Sequence, residues 1–422
     1  MEATRIRLAE GVHLTYLPAR KFKTSLLSAQ FVTPLRRETA GANALLAAVL
    51  RRGTVSCPDM GALSAKMDNL YDASIDYTVR KKGENQCVGF VASFIDDRYA
   101  PGGERLLEPA AALLGELVCD PVTYHGRFVP EYFESEKTNL LEAIRSLIND
   151  KRDWADSCLL RALCDGEAYA VPRLGDEETV DKLQALKVYT QYRDLISTAP
   201  LEIIYSGSAD LERVKQALAA AFATLPREEV RVISTAAPHV CRESVQHVED
   251  VLDVTQGKLG MGFSCGSDDM PALLMGNTLF GGSSNSKLFL NVREKLSLCY
   301  YASSLYHRQK GLITVSSGIE FQNYQRAYDE IMAQLEAVQK GELEDWELEG
   351  ARSTLLNSYA TVGDSQGKLE NFYLGQAATG QHETPADLAR AIQDMTAERI
   401  CRAMSTVKLD TVYFLKGKEV EA

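Results

Sequence analysis

The feature that most constrains the fold is an internal repeat with an offset of 228 residues. Three short matches occur in the same order at that offset: Ala44-Leu45-Leu46 with Ala272-Leu273-Leu274, Gly53 with Gly281, and Lys82-Gly83 with Lys310-Gly311. One match would be expected by chance, whereas three in order within about forty residues of each copy indicate two versions of one structural unit. The chain is therefore predicted to fold as two homologous halves.

Both copies show the same succession of patterns. Each starts with an apolar strand, continues with an apolar helix that ends near the matched glycine, and then has a second helix and a hairpin with residues alternating between apolar and polar. Amphipathic helices follow, and each copy closes with a helix and a final strand. The predicted positions are strands 25–33 and 258–264, hairpins 71–95 and 300–319, helices 103–118, 129–148, 183–196, 210–225, 324–338, 342–359 and 386–404, and closing strands 201–207 and 411–417.

This succession predicts an α+β fold in which each half is an antiparallel-rich sheet packed by helices. The predicted boundaries are 1–226 for the first half, 227–253 for a linker with the first edge strand of the second half, and 254–422 for the second half. A length of 422 residues agrees with more than one core.

Composition restricts the partners and the compartment. A net charge of −12 argues against nucleic acid or an anionic membrane as the main partner. The N-terminus lacks the apolar core of a signal peptide, and no apolar run approaches the ~20 residues of a membrane span. Nine scattered cysteines without a Cys-x-x-Cys pair favour a reducing environment. We therefore expect a cytoplasmic protein.

The stretch from Phe280 to Tyr300 is the richest in candidate functional residues. A glycine pair precedes an amphipathic helix, and a short polar turn then leads into an aromatic strand. Arg293 lies at the helix end and Tyr300 at the start of the strand, close enough in sequence to face one ligand. Arginine offers a planar fork of donors, and tyrosine offers a hydroxyl.

With two such halves, the chain resembles the pitrilysin/insulinase superfamily of metallopeptidases, family M16. The second half carries the resemblance best, through Gly281-Gly282, the helix start at Ser286-Lys287, and Arg293 followed by Tyr300. In that family the equivalent arginine and tyrosine belong to the non-catalytic half and bind substrate near a zinc ion held by the other half. The resemblance therefore implies an M16-type metallohydrolase fold and a substrate-binding role for Arg293 and Tyr300.

The same resemblance implies a zinc site in the first half, and there the sequence departs from the family. The family carries His-x-x-Glu-His on the helix before a Gly-Thr pair, which is Gly53-Thr54 here. Counting back places the two histidines at Ala44 and Ala48 and the glutamate at Ala47. The third ligand, a glutamate on a later helix, falls at Glu142 or Ala143, and both alignments stay open. We therefore predict no metal in this chain.

Histidine pairs and a Gly-x-Ser-x-Gly motif would indicate two other kinds of site. No two of the six histidines lie within five residues of each other, so no local pair of histidine ligands is available. Gly262-Phe263-Ser264-Cys265-Gly266 matches the nucleophile elbow of serine hydrolases, but the next helix is delayed by several residues and the matching repeat segment has no nucleophile. We therefore rank a serine hydrolase at Ser264 last.

The favoured function is that of a non-catalytic M16-type subunit, similar to an inactive bacterial subgroup of the family. It would pair with an active M16 subunit that carries the zinc motif, and contribute Arg293 and Tyr300 to binding a peptide or unfolded polypeptide. No peptidase activity is expected from the chain alone. The alternative is a non-enzymatic peptide-binding or scaffold protein with the same fold.

Overall fold

A computed structural model describes residues 3–233 and 238–418. Residues 234–237 of the predicted linker therefore lie outside the described residues, as do residues 1–2 and 419–422 of the two predicted halves. The chain forms two compact units. The first unit comprises Met1–Arg145, Val171–Thr235 and Gly363–His382, and the second comprises Ser146–Ala170, Ala236–Val362 and Glu383–Ala422.

The first unit contains a six-stranded sheet and the helices that pack on it. Its elements are β1 Thr4–Ala9, β2 Val12–Pro18, β3 Thr24–Pro34, α1 Arg37–Leu50, α2 Met60–Asp68, β4 Ser74–Lys82, β5 Asn85–Ile95, α3 Leu107–Cys119, the two-residue strands β6 Thr123–Tyr124 and β7 Arg127–Phe128, and α4 Pro130–Ser146. After α5, Lys151–Leu163, which belongs to the second unit, come α6 Glu177–Asp181, α7 Ala185–Thr198, β8 Leu201–Gly207 and α8 Leu211–Ala221.

The second unit repeats this plan around a five-stranded sheet. Its elements are β9 Gln246–Leu252, β10 Gly257–Cys265, α9 Met270–Phe280, a π-helix at Leu288–Lys295, β11 Cys299–His307, β12 Leu312–Ile319, α10 Tyr324–Lys340 and α11 Asp345–Ala360. After α12, Gln366–Ala378, which belongs to the first unit, come α13 Pro385–Gln393, α14 Ala397–Met404 and β13 Val407–Gly417.

The five strands of the second sheet correspond in order to β4, β5, β3, β8 and β2 of the first sheet, which has β1 as an additional edge strand. The first has the order β1-β2-β8-β3-β5-β4, and the second has the order β11-β12-β10-β13-β9. In each sheet one pair is parallel, β2 with β8 and β9 with β13, and the other pairs are antiparallel. Each sheet covers its own apolar core. The fold is therefore α+β, as predicted.

Neither unit is a contiguous half of the sequence. Helix α12 comes from the second half but packs on β3 and β8 of the first unit, where Glu370 accepts hydrogen bonds from Ser28 and Arg80. Helix α5 comes from the first half but packs on β10 and β13 of the second unit. A Cβ atom at Gly262 would lie 2.7 Å from Leu163 of α5, so the glycine permits this close approach.

One predicted helix differs from the structure. The helix predicted at 386–404 is two helices, because Thr396 caps the start of α14 by accepting the N–H of Arg399. The edge strand predicted within 227–253 is β9, which pairs in parallel with β13. No helix among the described residues has both the length and the apolar character needed to cross a membrane.

Candidate functional site

Helix α1 carries the three alanines that the family resemblance predicts at the zinc-motif positions. It is rich in alanine and leucine, and all its residues from Ala40 onward are buried. Ala44, Ala47 and Ala48 are 2%, 0% and 6% exposed. Residues at i and i+4 project from one side of a helix, so Ala44 and Ala48 present their methyl groups in the same direction.

That direction leads into a cavity of about 300 Å³ within the first unit. Edge strand β4 and helix α4 provide most of the other walls, and Ala143 is among the lining residues whereas Glu142 is not. The full lining consists of Ala44, Ala48, Tyr77, Val79, Glu136, Asn139, Leu140, Ala143, Arg173 and Leu174. The structure therefore brings together three alanines that occupy predicted ligand positions, while the fully buried Ala47 packs in the core.

Glu136, Asn139 and Arg173 of this cavity already form hydrogen bonds. Glu136 accepts hydrogen bonds from Arg52 at 2.8 Å and from Asn139 at 3.1 Å. Arg173 donates to the carbonyl of Val79 at 3.2 Å. Burial, helped by the charge of Glu136, raises the pKa of Tyr77. Sequence reasoning did not single out Glu136 or Arg173, because neither belongs to the motif and only the fold places them here.

The residues around α1 do not fit a zinc ion. Zinc is bound by cysteine, histidine and carboxylate side chains, and methyl groups have no lone pair to donate. Glu136 is the one carboxylate in the lining, and it is held by Arg52. Within residues 3–233 and 238–418, potential ligand atoms of three residues converge elsewhere, at Cys164, Glu167 and His239 of the second unit.

Arg293 lies in the last turn of the π-helix. The helix predicted from the sequence is therefore a π-helix, which is wider than an α-helix. The N–H of Leu296, for example, donates to the carbonyl of Asn291 five residues earlier. Leu296, which directly follows the π-helix, is exposed to solvent. The guanidinium of Arg293 lies 4.7 Å from the ring centroid of Phe289 and 3.6 Å from the carboxylate of Glu294. It is 40% exposed, so it has room to bind an additional group.

Tyr300 is the extra residue of a β-bulge. Strand β11 pairs Cys299 with Ile319 and Tyr301 with Gly318, so Tyr300 has no partner across the strand pair. A bulge turns a side chain away from the regular alternation of the strand and is common beside functional sites. Tyr300 is 60% exposed as a result. The sequence placed it at the start of a strand but offered no sign of the bulge.

Glu320 is the immediate partner of Tyr300. The phenol donates to the carboxylate of Glu320, which directly follows β12, and this hydrogen bond raises the pKa of Tyr300. The phenol therefore keeps its proton at neutral pH and remains a donor. In the structure, Arg293 and Tyr300 contact different neighbouring residues. Their shared role in substrate binding therefore stays a prediction. Glu320 itself could not be identified from sequence spacing.

Ser264 does not have the geometry of a nucleophile. It is 5% exposed and lies within β10, paired with Leu312 on one side and Lys408 on the other. A nucleophile elbow needs a sharp turn between strand and helix that lifts the hydroxyl out of the sheet. Here Ser264 lies inside the sheet and α9 begins only at Met270, so a serine hydrolase at this position is excluded on geometry.

Comparisons with known proteins identify the family of this chain. Residues 182–355 match the family described as "Peptidase M16 inactive domain". The chain is 34% identical over 416 residues to the "Probable inactive metalloprotease YmfF" of Bacillus subtilis (strain 168), covering 97% of this chain and 96% of that protein. It is also 22% identical over 325 residues to the "Uncharacterized zinc protease YmxG" of the same organism, covering 74% and 76% of the two chains.

Solved structures extend the similarity to the whole fold. A conserved protein from Enterococcus faecalis V583 matches with a TM-score of 0.91 and 27% identity over 100% of both chains. A peptidase M16 inactive domain from Pseudomonas fluorescens matches with a TM-score of 0.80 and 18% identity over 100% of this chain and 99% of that one. The chain therefore belongs to the peptidase M16 family, and its residues 182–355 match the inactive domain of that family.

Proposed function

We propose that this chain is a catalytically silent M16-type subunit that pairs with an active M16 peptidase subunit carrying His-x-x-Glu-His. In this proposal, Arg293 and Tyr300 help to hold a peptide or unfolded polypeptide at the partner's site. The observation that carries the proposal is the combination of a cavity lined by alanines at Ala44 and Ala48 with an exposed phenol at Tyr300. The alanine-lined cavity cannot support metal chemistry, while the phenol of Tyr300 is available to bind a ligand.

The two proposed binding residues suit the carbonyl groups of a peptide. The guanidinium of Arg293 offers several N–H donors in one plane, and Tyr300 offers a single O–H donor. A peptide oxygen would compete with Glu320 for the Tyr300 proton, so binding requires only a rotation of the phenolic O–H or a small shift of the ring. Both residues would stabilise a carbonyl oxygen as it gains negative charge, while the bond-breaking chemistry stays with the partner subunit.

Sheet edges support the choice of an extended peptide as ligand. Strands β4 and β11 are edge strands of their respective sheets, so their outer N–H and C=O groups are not paired within the sheet. Extended peptides bind such edges by adding a further strand. Tyr77 and Val79 of β4 line the alanine cavity, and β11 carries Tyr300. Each unit thus presents an edge strand next to its candidate residues.

The test is to measure peptide cleavage by this chain alone, by a co-encoded subunit with the zinc motif, and by the mixture. We expect cleavage by the mixture and none by this chain alone. Arg293→Ala should lower kcat/KM of the mixture roughly 10- to 100-fold, as expected for a lost charged hydrogen bond. Tyr300→Phe should lower it roughly 100-fold if the hydroxyl contacts the developing oxyanion.

Controls separate binding from assembly. Lys295→Ala changes an exposed cation on the same π-helix, and Tyr124→Phe removes the hydroxyl of another exposed tyrosine, so both should leave cleavage unchanged. Size-exclusion chromatography should show every variant still paired. Robust cleavage by this chain alone would disprove the proposal. Unchanged cleavage after both Arg293→Ala and Tyr300→Phe would instead support a non-enzymatic scaffold.

A further inference from the structure

A second cluster of reactive side chains lies in the second unit, where the end of α5 meets the segment that follows residue 238. Cys164 directly follows α5 and is fully buried, and Glu167 lies three residues later. His239 is 8% exposed, and its backbone N–H donates a hydrogen bond to the carbonyl of Lys310. The Sγ of Cys164, a carboxylate oxygen of Glu167 and a ring nitrogen of His239 all lie within 4.8 Å of one another.

The ring of His239 is oriented by a second carboxylate. Its Nε2 lies 3.2 Å from Asp410, a completely buried residue, while its Nδ1 faces Glu167. Asp410 in turn accepts the backbone N–H and the side chain of Arg242, both at 2.7 Å, and the hydroxyl of Thr411. Burial raises the pKa of Asp410, but these hydrogen bonds outweigh it and lower the pKa overall. A carboxylate bound to the far nitrogen is the usual support of a metal-binding histidine.

The charges of this cluster match those of a metal site. Nδ1 of His239 faces Glu167 and Nε2 faces Asp410. Lys310 contacts the other oxygen of Glu167, and Arg242 pairs with Asp410. With the carboxylate of Glu167 and a thiolate at Cys164 as ligands, two negative charges match the charge of a divalent ion. Such a match lowers the cost of placing the ion in a buried site.

We propose that Cys164, Glu167 and His239 bind a divalent transition-metal ion of the zinc class. Thiolate and imidazole ligands favour Zn²⁺ and Co²⁺ over Mg²⁺ or Ca²⁺. The metal forms bonds to Sγ of Cys164, Nδ1 of His239 and an oxygen of Glu167; the thiol proton of Cys164 and any proton on Nδ1 of His239 leave to solvent, and no oxidation state changes. Water takes the fourth position of the tetrahedron. The ion would tie the segment at His239 to the end of α5.

The geometry needs one adjustment. Nδ1 of His239 and the nearer oxygen of Glu167 are 2.5 Å apart, a hydrogen-bond distance, whereas two ligands of one tetrahedral zinc lie about 3.3 Å apart. Glu167 follows α5 in a turn and its side chain is 26% exposed, so the carboxylate has room to move back. This site shares no residue with the alanine cavity, Arg293 or Tyr300. Its failure would leave the proposed function untouched, and the reverse also holds.

The experiment uses the full chain without an affinity tag, stripped of metal by a chelator and titrated with Co²⁺. We expect one Co²⁺ per chain, a thiolate-to-cobalt charge-transfer band in the near ultraviolet, and strong visible bands from tetrahedral cobalt. At least one proton, that of the Cys164 thiol, should be released per ion, measured with a pH indicator in weak buffer. Zn²⁺ should displace the cobalt and remove the bands. Substoichiometric binding, or binding without the charge-transfer band, would overturn the proposal.

Variants identify the ligands. Cys164→Ser should abolish the charge-transfer band, and His239→Gln should reduce cobalt affinity by at least 10-fold. Cys158→Ser is the matched control, because Cys158 is a buried thiol within α5 itself, and it should bind cobalt as the natural chain does. A retained band in Cys164→Ser would contradict the assignment. If that variant does not fold, the stoichiometry and proton count of the natural chain decide the question.

Discussion

At the scale of single residues, the candidate site depends on details that alter where a side chain points. Tyr300 is exposed because one extra residue interrupts the pairing of β11 with β12. Arg293 occupies the last turn of a helix whose hydrogen bonds span five residues instead of four. Both irregularities fall within one short stretch, and π-turns and bulges are found often at functional sites. The stretch therefore departs from regular structure at the two residues that the family resemblance singles out.

Lys287 is expected to hold this stretch in place. Its ammonium lies 3.0 Å from both carboxylate oxygens of Glu347 on α11, and both side chains are at least nine-tenths buried. Lys287→Met would leave the carboxylate of Glu347 buried without its cation, which costs about 3–5 kcal/mol. Chemical denaturation should show a loss of that size in the free energy of unfolding. Lys295→Met, at an exposed position, should stay within about 0.5 kcal/mol of the natural chain.

At the scale of elements, α1 and α4 together determine whether a zinc site could exist. Ala44 and Ala48 of α1 and Ala143 of α4 line one cavity, although almost a hundred residues separate the two helices. If these are the ligand positions, side chains introduced there should converge on one ion. Zinc affinity can then distinguish Glu142 from Ala143 as the third ligand position.

The measurement compares two variants, both made with Cys164→Ser to remove the competing cluster. Ala44→His with Ala48→His and Ala143→Glu should bind one Zn²⁺ in equilibrium dialysis. The same histidines with the natural Glu142 should bind at least 10-fold more weakly, because Glu142 is outside the cavity lining. Equal affinity in the two variants would show that Glu142 can reach the ion and that the assignment to Ala143 is wrong.

A second element-scale prediction concerns the contact between α3 and α8. Arg213 of α8 donates two hydrogen bonds to Glu108 of α3, and this contact lowers the pKa of Glu108 from 4.5 to about 2. A lowered carboxylate pKa stabilises the fold above the unfolded-state value and loses that contribution as pH falls through the folded-state value. Stability from this pair should therefore decline between about pH 4.5 and pH 2.

Glu108→Gln tests this prediction. The variant should be less stable than the natural chain at pH 7, and the difference between their melting temperatures should shrink as pH is lowered towards 2. The effect should be modest, because the Glu108 side chain is 39% exposed and solvent screens the pair. Glu229→Gln changes an exposed carboxylate and serves as the control. A difference that is constant with pH would show that the ion pair does not contribute.

At the scale of the whole molecule, exchanged helices make each unit depend on both halves of the sequence. The first unit needs α12 because Glu370 is 3% exposed and supplies both carboxylate oxygens to Arg80. Without that helix, the face of the sheet at β3 and β8 loses its cover. The second unit needs α5 because this helix packs on β10 and β13. The predicted boundary at 226 therefore does not coincide with a unit that is complete by itself.

This dependence predicts how fragments behave. Residues 1–226 expressed alone should lack a cooperative thermal transition, whereas the same fragment joined through a Gly/Ser linker to residues 363–382 should regain one. Co-expression of 1–226 with 227–422 should yield a folded complex that purifies together. Circular dichroism during heating provides the measurement. A cooperative transition in 1–226 alone would show that α12 is dispensable.

The sequence by itself determined the repeat and the α+β class, and it carries alanines at the positions that the family resemblance assigns to the zinc motif. Each of these is local: a helix or strand follows from the spacing of neighbouring residues, and Ala44 and Ala48 lack donor atoms in any fold. Even the break between α13 and α14 had a local signal in Thr396.

Only the tertiary structure decided which distant residues meet. The alanine cavity, the Tyr300–Glu320 contact and the cluster at Cys164 and His239 each join segments that are far apart in the chain or separated by a register shift. The exchange of α5 and α12 is of the same kind. Such contacts depend on strand register and on packing between elements, which are set by the total free energy of the fold and leave no regular spacing in the sequence.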